Sequence, residues 1–127
     1  EWITGASGKQ PYYISRTDGA PIGLAGLWEQ WRDRAAEPDA PPIETFTILT
    51  MVSAGGIASL HHRMPVMLDD VAAEHWLAGD GDNPPNLREL NAETRAAELQ
   101  AWPVAKTVNN ARNESPVLID KVELSDD

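Results

Sequence analysis

The first half of the chain alternates short apolar segments, rich in strand-forming residues, with turns made by glycine and proline. One strand ends near Ile3, and others are predicted over residues 11–16 and 22–29. Because Asp18-Gly19 is a turn signal, we predict that the latter two segments pair as a hairpin. The clearest strand covers residues 43–52, in which threonine and isoleucine, both favoured in pleated sheet, recur.

Helical signals are concentrated in the second half of the chain. Asp69 and Asp70 are favourable N-cap residues for a helix over residues 71–78. A second helix is predicted after Asn86, with apolar residues at helical spacing as far as Ala97, and Pro103 is expected to end it. The remaining predicted elements are a short helix or turn at residues 57–62 and short strands at residues 104–108 and 117–122.

The order of these elements indicates the fold class. Strands come first, helices follow, and the chain then returns to strand, which favours an α+β fold with a mainly antiparallel sheet. No glycine-rich phosphate loop follows a strand, so a Rossmann or P-loop protein is not expected. We interpret residues 1–127 as a single domain.

Composition restricts the classes of function. The absence of cysteine excludes disulfides, thiolate metal sites and a cysteine nucleophile within these residues. The formal net charge of −10 argues against extensive DNA contact, because that affinity comes largely from lysine and arginine. Acidic residues crowd the stretch 113–127, which we interpret as a solvated tail. With no signal segment and no membrane-length apolar run, a cytoplasmic protein is expected.

The densest chemistry lies at residues 60–65, LHHRMP. An imidazole of His61 or His62 can take or give a proton near neutral pH, and Arg63 can hold a phosphate in a planar fork. Adjacent residues of an extended segment point to opposite faces, so we expect only one of the two histidines to face a site. A metal site is not expected, because the histidines lack the spacing of zinc ligands. A surface role for this segment remains the alternative.

Other candidate residues are less specific. Glu1 is a carboxylate at a strand end beside Trp2, and it is either an acid–base group or simply the first residue of a strand. Thr50 either presents its hydroxyl to a ligand or serves only as a strand former. The five tryptophans can stack on bases, although packing in the core is the commoner use.

Several segments in order resemble the SOS response-associated peptidase (SRAP) family. The matching segments are EW at 1–2, KQPYYI at 9–14, AGLWE at 25–29, TFTILT at 45–50, HHRMPV at 61–66, WL at 76–77 and the PV…VN landmarks within 103–109. The resemblance implies a distorted antiparallel barrel-like sheet with flanking helices. It also implies that this chain is the C-terminal two-thirds of the domain, with the N-terminal part missing.

The resemblance further implies a chemistry. Family members condense an N-terminal cysteine with the aldehyde of an abasic site in single-stranded DNA, giving a Schiff base and then a stable thiazolidine that shields the lesion. Carried over by motif, Glu1 handles the proton on the amine, and His61 is a general acid–base. Arg63 grips the DNA phosphate and Thr50 lines the DNA side of the pocket. His62 takes no role, because it occupies the variable position of the motif.

The chain departs from the family in one respect. The cysteine and an Asn-Ala-Arg segment lie upstream of Glu1, so the 127 residues alone are expected to be inactive in cross-linking. The alternatives are a peptidase that removes its own N-terminal residues, or an inactive fragment of the family. We expect a monomer without cofactor or metal, whose partner is single-stranded DNA with an abasic site and which joins the nucleoid when bound.

Overall fold

The computed structural model describes residues 1–5, 8–33, 35, 39–79 and 92–124. Within these residues, the strands are β1 (Trp2–Gly5), β2 (Gly8–Arg16), β3 (Gly23–Leu24), β4 (Gly26–Trp31), β5 (Ile43–Ile48), β6 (Thr50–Val52), β7 (Arg63–Pro65), β8 (Met67–Leu68) and β9 (Leu99–Pro103). The helices are α1 (Asp70–Leu77) and α2 (Ala92–Ala97), and short 3₁₀ helices cover Gly55–Ser59, Lys106–Asn109 and Pro116–Ile119.

The chain divides into two compact units. The first unit contains Glu1–Ile22, Val52–Met64 and Asn91–Asp127, and the second contains Gly23–Met51 and Pro65–Leu90. The chain passes from one unit to the other within β6 and again within β7. Each unit is therefore assembled from segments that are distant in the sequence.

The first unit is built on a three-stranded antiparallel sheet in the order β1-β2-β9. Tyr13 of β2 lies opposite Trp102 of β9, and their ring centroids are 5.2 Å apart. The indole Nε1 of Trp102 donates to the carbonyl oxygen of Ile119 at 2.8 Å. The aromatic pair joins β9 to β2, and the hydrogen bond joins β9 to the 3₁₀ helix Pro116–Ile119.

The C-terminal stretch of the first unit is bonded to the sheet. Val104 bridges to Lys121, and the Val122 N–H donates to the Pro103 carbonyl at 3.0 Å. The acidic residues of the described part of this stretch are exposed; they are Glu114, Asp120 and Glu123. Their carboxylates are therefore solvated while the backbone that carries them is held in place.

The second unit is organised around a small apolar core. Ala25, Val66 and Leu68 are buried, and Trp76 of α1 packs against them. The Trp76 Nε1 donates to the carbonyl oxygen of Gly26 at 3.0 Å, so the polar atom of a large apolar side chain has a partner. Helix α1 begins as predicted: the side chain of Asp69 accepts from the Ala72 N–H.

A two-stranded ribbon of β4 and β5 belongs to the second unit and carries large exposed apolar side chains. Trp28 lies directly opposite Phe46, and these residues are 70% and 79% exposed. On the other face of the ribbon, Trp31 lies opposite Ile43, and both are about half exposed. The alternation along the two strands therefore places apolar residues on both faces.

The predicted hairpin of residues 11–16 and 22–29 is wrong. Strand β2 pairs with β1 and β9, whereas β3 pairs with β8 and β4 with β5. The Asp18 side chain accepts from the Ala20 N–H, and the Gly19 N–H donates to the Arg16 carbonyl oxygen. These bonds form a turn in which the chain leaves β2 without folding back on it.

Two further predictions at the C-terminal end are wrong. Residues 104–108 and 117–122 form mainly 3₁₀ helices, and β9 occupies residues that we had expected to continue a helix. Pro116 lies in the first turn of one 3₁₀ helix, and the Ser115 hydroxyl accepts from the Val117 N–H. These local signals favour a helical turn over the strand that valine and isoleucine predicted.

Other predictions are confirmed in whole or in part. The fold is rich in antiparallel sheet with few helices, while the barrel-like closure stays a prediction. The long strand at residues 43–52 is interrupted at Leu49, whose N–H donates to Ala25 and whose carbonyl accepts from Val66. The helix start at Asn86 lies outside the described residues. Among the described residues, no helix has the length and apolar character that crossing a bilayer requires.

Candidate active site

The first candidate side chain belongs to Glu1, which immediately precedes β1. The Tyr12 N–H donates to the Glu1 carbonyl at 2.7 Å, and the Glu1 nitrogen donates to the Tyr12 carbonyl at 3.2 Å. This reciprocal pair fixes the Glu1 backbone against β2. The residue itself is exposed, so its carboxylate is available to a ligand.

The next residue, Trp2, is anchored by its side chain. Its Nε1 donates to the Oδ1 of Asn109 at 2.8 Å, across 107 positions of sequence. Asn109 is the last residue of the 3₁₀ helix Lys106–Asn109. Trp2 remains 51% exposed, so the indole is held at one edge while much of its surface faces solvent.

The 3₁₀ helix Gly55–Ser59 positions His61. Gly55 has a φ of +52°, and a Cβ on it would lie 3.3 Å from the Cβ of Ala96, so both conformation and space favour glycine. The Ile57 carbonyl then accepts from the N–H groups of Leu60 and His61, at 2.9 and 3.1 Å. These bonds close the turn and set the direction in which the His61 side chain leaves the backbone.

The His61 ring is held by the backbone of Arg63. Nδ1 lies 2.8 Å from the Arg63 carbonyl oxygen, and the Arg63 N–H points at the same nitrogen from 3.1 Å. A protonated Nδ1 can donate to the carbonyl, and an unprotonated Nδ1 can accept from the amide. Either tautomer therefore has a partner without rotation of the ring.

The two neighbouring histidines stack on each other. The ring centroids of His61 and His62 are 4.6 Å apart, with an angle of 31° between the planes. The expectation that they point to opposite faces is wrong, because His62 lies in a bend before β7 and not in an extended strand. His61 is half-buried and His62 is exposed, so His62 covers one side of its neighbour.

A cavity of about 300 Å³ in the first unit is lined by neighbours of Glu1 and His61. Tyr12, the backbone partner of Glu1, lines it, and so does Leu60, the residue before His61. The remaining lining residues are Ile3, Gly56, Ile57, Ser59, Ala96, Leu99 and Ala101. The lining is mostly apolar, and within the part of the chain that the structure describes no group of three metal-ligating side chains occurs.

The other two predicted residues are placed as follows. Arg63 begins β7 in the first unit and is exposed, as a phosphate-binding cation requires. Thr50 begins β6, is also exposed and belongs to the second unit. The first unit thus holds Glu1, His61 and Arg63.

Sequence reasoning missed two supporting residues, Asn109 and Tyr12. Asn109 lies in a segment that matches the family, but no local pattern indicates a partner 107 residues away. Tyr12 was visible only as a strand former, whereas the structure makes it both the partner of Glu1 and a cavity wall.

Comparison with known proteins gives a consistent family. A model described as SOS response associated peptidase (SRAP) matches residues 1–111. Over 112 residues the chain is 32% identical to the abasic site processing protein YoqW of Bacillus subtilis, covering 88% of this chain and 48% of YoqW. Over an alignment of 143 positions it is 28% identical to the abasic site processing protein HMCES of Gallus gallus, and the match covers 98% of this chain and 41% of HMCES.

A solved structure shares the fold. A protein from Bacteroides thetaiotaomicron superposes with a TM-score of 0.76 at 23% identity, over 97% of this chain and 53% of that protein. The chain spans about half the length of the relatives it matches. Because the family model covers most of the sequence, the chain belongs to the SOS response associated peptidase (SRAP) family.

Proposed function

We propose that the protein containing this chain captures abasic sites in single-stranded DNA by forming a covalent cross-link. The observation that carries the proposal is the His61 ring, whose Nδ1 is held by the Arg63 backbone in the same unit as Glu1. The names of its relatives, abasic site processing proteins, support an abasic site as the substrate. A proton-transfer group beside a phosphate-binding cation is what imine chemistry on a DNA backbone needs.

The reaction needs an amine and a thiol. The amine adds to the aldehyde of the opened deoxyribose and loses water, which leaves an imine. The thiol then adds to the imine carbon, its proton passes to the nitrogen, and a thiazolidine ring closes. Since the 127 residues contain no cysteine, the proposal places this nucleophile in an N-terminal segment beyond them.

Glu1 and His61 would move the protons. His61, with Nδ1 held at 2.8 Å by the Arg63 carbonyl, presents Nε2 as a base or an acid during ring opening of the sugar and loss of water. The exposed carboxylate of Glu1 takes the proton that the amine must lose before it attacks the aldehyde. Glu1 therefore handles the proton on the amine, and His61 handles the protons on the sugar.

Arg63 and Thr50 would bind the DNA. A guanidinium on the phosphate beside the lesion fixes the register of the strand, and a threonine hydroxyl adds a neutral contact. The net charge of −10 is compatible with this role, because a cation at the contact attracts the phosphate locally even where the summed charge opposes association. We therefore expect Arg63 to contribute more to DNA affinity than the net charge of the chain suggests.

A second candidate activity is removal of the protein's own N-terminal residues. The description of the family as a peptidase favours it, and the same Glu1 and His61 would serve as acid–base groups. Mass spectrometry of the purified gene product distinguishes the two activities: a leader longer than a single methionine, lost in the wild type and kept in His61→Gln, supports self-processing.

The test of the main proposal uses the intact gene product with its native N-terminus. It is incubated with a single-stranded oligonucleotide carrying one abasic site, and the products are separated on a denaturing gel. An adduct that survives denaturation, and is absent with an intact oligonucleotide, supports cross-linking. A folded protein with a free N-terminal cysteine that forms no adduct contradicts it.

A further inference from the structure

The hydrogen bond between Trp2 and Asn109 links the start of β1 to a distant part of the first unit. It is 2.8 Å long, and its acceptor is a side-chain amide oxygen. The donor belongs to the residue that follows Glu1 in the chain. Chain ends and strand ends open most readily, so a side-chain bond at this point limits the movement of the first residues.

The segment that ends in Asn109 is tied to β2 and folded on itself by hydrogen bonds. The Val104 N–H donates to the Pro11 carbonyl at 3.1 Å, and the Gln10 side-chain amide donates to the Val104 carbonyl at 2.8 Å. The Val108 N–H then donates to the Ala105 carbonyl at 3.1 Å within the 3₁₀ turn. The acceptor is therefore presented from a segment that is itself tied to β2.

The position of Glu1 depends on two anchors. One is its reciprocal backbone pair with Tyr12, and the other is the indole of Trp2. Adjacent strand residues point to opposite faces, so the indole holds the strand from the face opposite the Glu1 carboxylate. Loss of the indole anchor leaves the backbone pair in place but lets the first residues twist about it.

We infer that Asn109 is a positioning residue for Glu1, acting through the indole of Trp2. The inference rests on the proposed function, in which the Glu1 carboxylate accepts the proton of the attacking amine. Asn109 itself touches neither the carboxylate nor the reacting atoms. Its effect is on the orientation of the group that moves the proton.

The experiment measures the rate of adduct formation by the intact gene product on an abasic oligonucleotide. Asn109→Leu and Trp2→Phe each remove one partner of the bond, and we expect each to lower the rate about threefold to tenfold, the range that one net hydrogen bond represents. The double variant is expected to lose no more than either single variant. Asn109→Asp keeps an acceptor oxygen and is expected to recover most of the rate.

The matched control is Asn110→Leu. Asn110 is the same residue type at the next position, and its side chain accepts from the Arg112 N–H instead of contacting Trp2. Circular dichroism gives the folded fraction, and each rate is expressed per folded molecule. The pH dependence of that rate is recorded from pH 5 to 9, because misplacement of a proton acceptor changes its shape while a loss of folded protein does not.

The outcomes separate the inference from the proposed function. If the wild type forms no adduct, the proposed function fails. If the wild type forms adduct and Asn109→Leu matches it per folded molecule with the same pH profile, the positioning role is overturned. A reduced rate with a changed profile, restored by Asn109→Asp and unaffected in Asn110→Leu, supports it.

Discussion

The Nδ1 atom of His61 lies 2.8 Å from the carbonyl oxygen of Arg63, two residues further along the chain. One short segment therefore supplies both an oriented imidazole and a cation, and the backbone of the cation-bearing residue is what orients the imidazole. Substitution of the Arg63 side chain removes the cation but leaves its backbone available to the His61 ring. The two roles are therefore experimentally separable.

The first prediction concerns proton transfer by His61. We expect His61→Gln to lower the rate of adduct formation about 100-fold, the lower end of what general acid–base catalysis contributes. Affinity for intact single-stranded DNA should stay within twofold of wild type, because the change leaves Arg63, the proposed phosphate contact, in place. The rate is measured by quenched time points on denaturing gels. His75→Gln, on the exposed surface of α1, is the matched control, and an equal loss there would contradict the assignment.

The second prediction concerns the stacked neighbour, His62. A stacked aromatic pair is worth about 0.5–1.5 kcal/mol, so His62→Ala is expected to slow adduct formation roughly 2- to 10-fold by loosening the His61 ring. His62→Phe retains a stacking surface and should stay near the wild-type rate. If the phenylalanine variant is as slow as the alanine variant, His62 acts through its nitrogen atoms and not through stacking.

The third prediction concerns phosphate binding by Arg63. Arg63→Gln should weaken binding to single-stranded DNA of any sequence and reduce the slope of log affinity against log salt by about 0.7, the value for one phosphate contact. Fluorescence anisotropy across a salt series provides the measurement. Arg112→Gln makes the same change of charge at another exposed position of the first unit. Identical slopes for the two variants would show that only net charge matters.

The fourth prediction concerns acid stability. The side-chain hydrogen bond from Arg16, followed by the Ala20 N–H, lowers the pKa of Asp18 from 3.8 to about 2. A carboxylate with a depressed folded-state pKa stabilises the fold above the unfolded pKa and loses that contribution as pH falls through the folded value. Asp18→Asn should therefore show a smaller decline in urea midpoint between pH 4 and pH 2 than wild type. Glu114→Gln, an exposed carboxylate of the same unit, should decline like wild type.

The fifth prediction concerns the turn before His61. Gly55→Ala forces an L residue into φ near +52° and brings its Cβ within 3.3 Å of Ala96. A left-handed conformation costs a residue other than glycine roughly 1–2 kcal/mol, so the free energy of unfolding should fall by about that amount. Gly56→Ala is the control, because a Cβ there meets nothing within 4 Å. Equal losses in the free energy of unfolding for both variants would mean that the turn requires the flexibility of glycine and not the left-handed conformation of Gly55.

Local signals in the sequence predicted the elements whose causes are local. Helix α1 was predicted from Asp69, whose side chain caps the helix as expected. The short helix or turn predicted at residues 57–62 overlaps the 3₁₀ helix Gly55–Ser59 that precedes His61. Strand partners were not predictable in this way: Asp18-Gly19 looks like a hairpin turn, yet the strand before it pairs with β9, more than 80 residues later.

In the candidate site too, features with local causes could be predicted and contacts between distant residues could not. The HHR segment was visible because its chemistry is contiguous in the sequence. The stack of His61 on His62 was not, because it depends on a bend that residue type does not reveal. The Asn109–Trp2 bond needed the fold itself, since a single asparagine among three within five residues carries no signal of its partner.

The pairing of β2 with β9 also has a consequence for biosynthesis. Tyr12 to Arg16 find their β9 partners only after residues 99–103 have left the ribosome, and Val122 then bonds to Pro103. Until that point the nascent chain exposes one unpaired edge of β2. Closing such long sequence separations is slow, so we expect the first unit to form only after residues 99–103 have emerged, with an earlier window in which chaperones have access to β2.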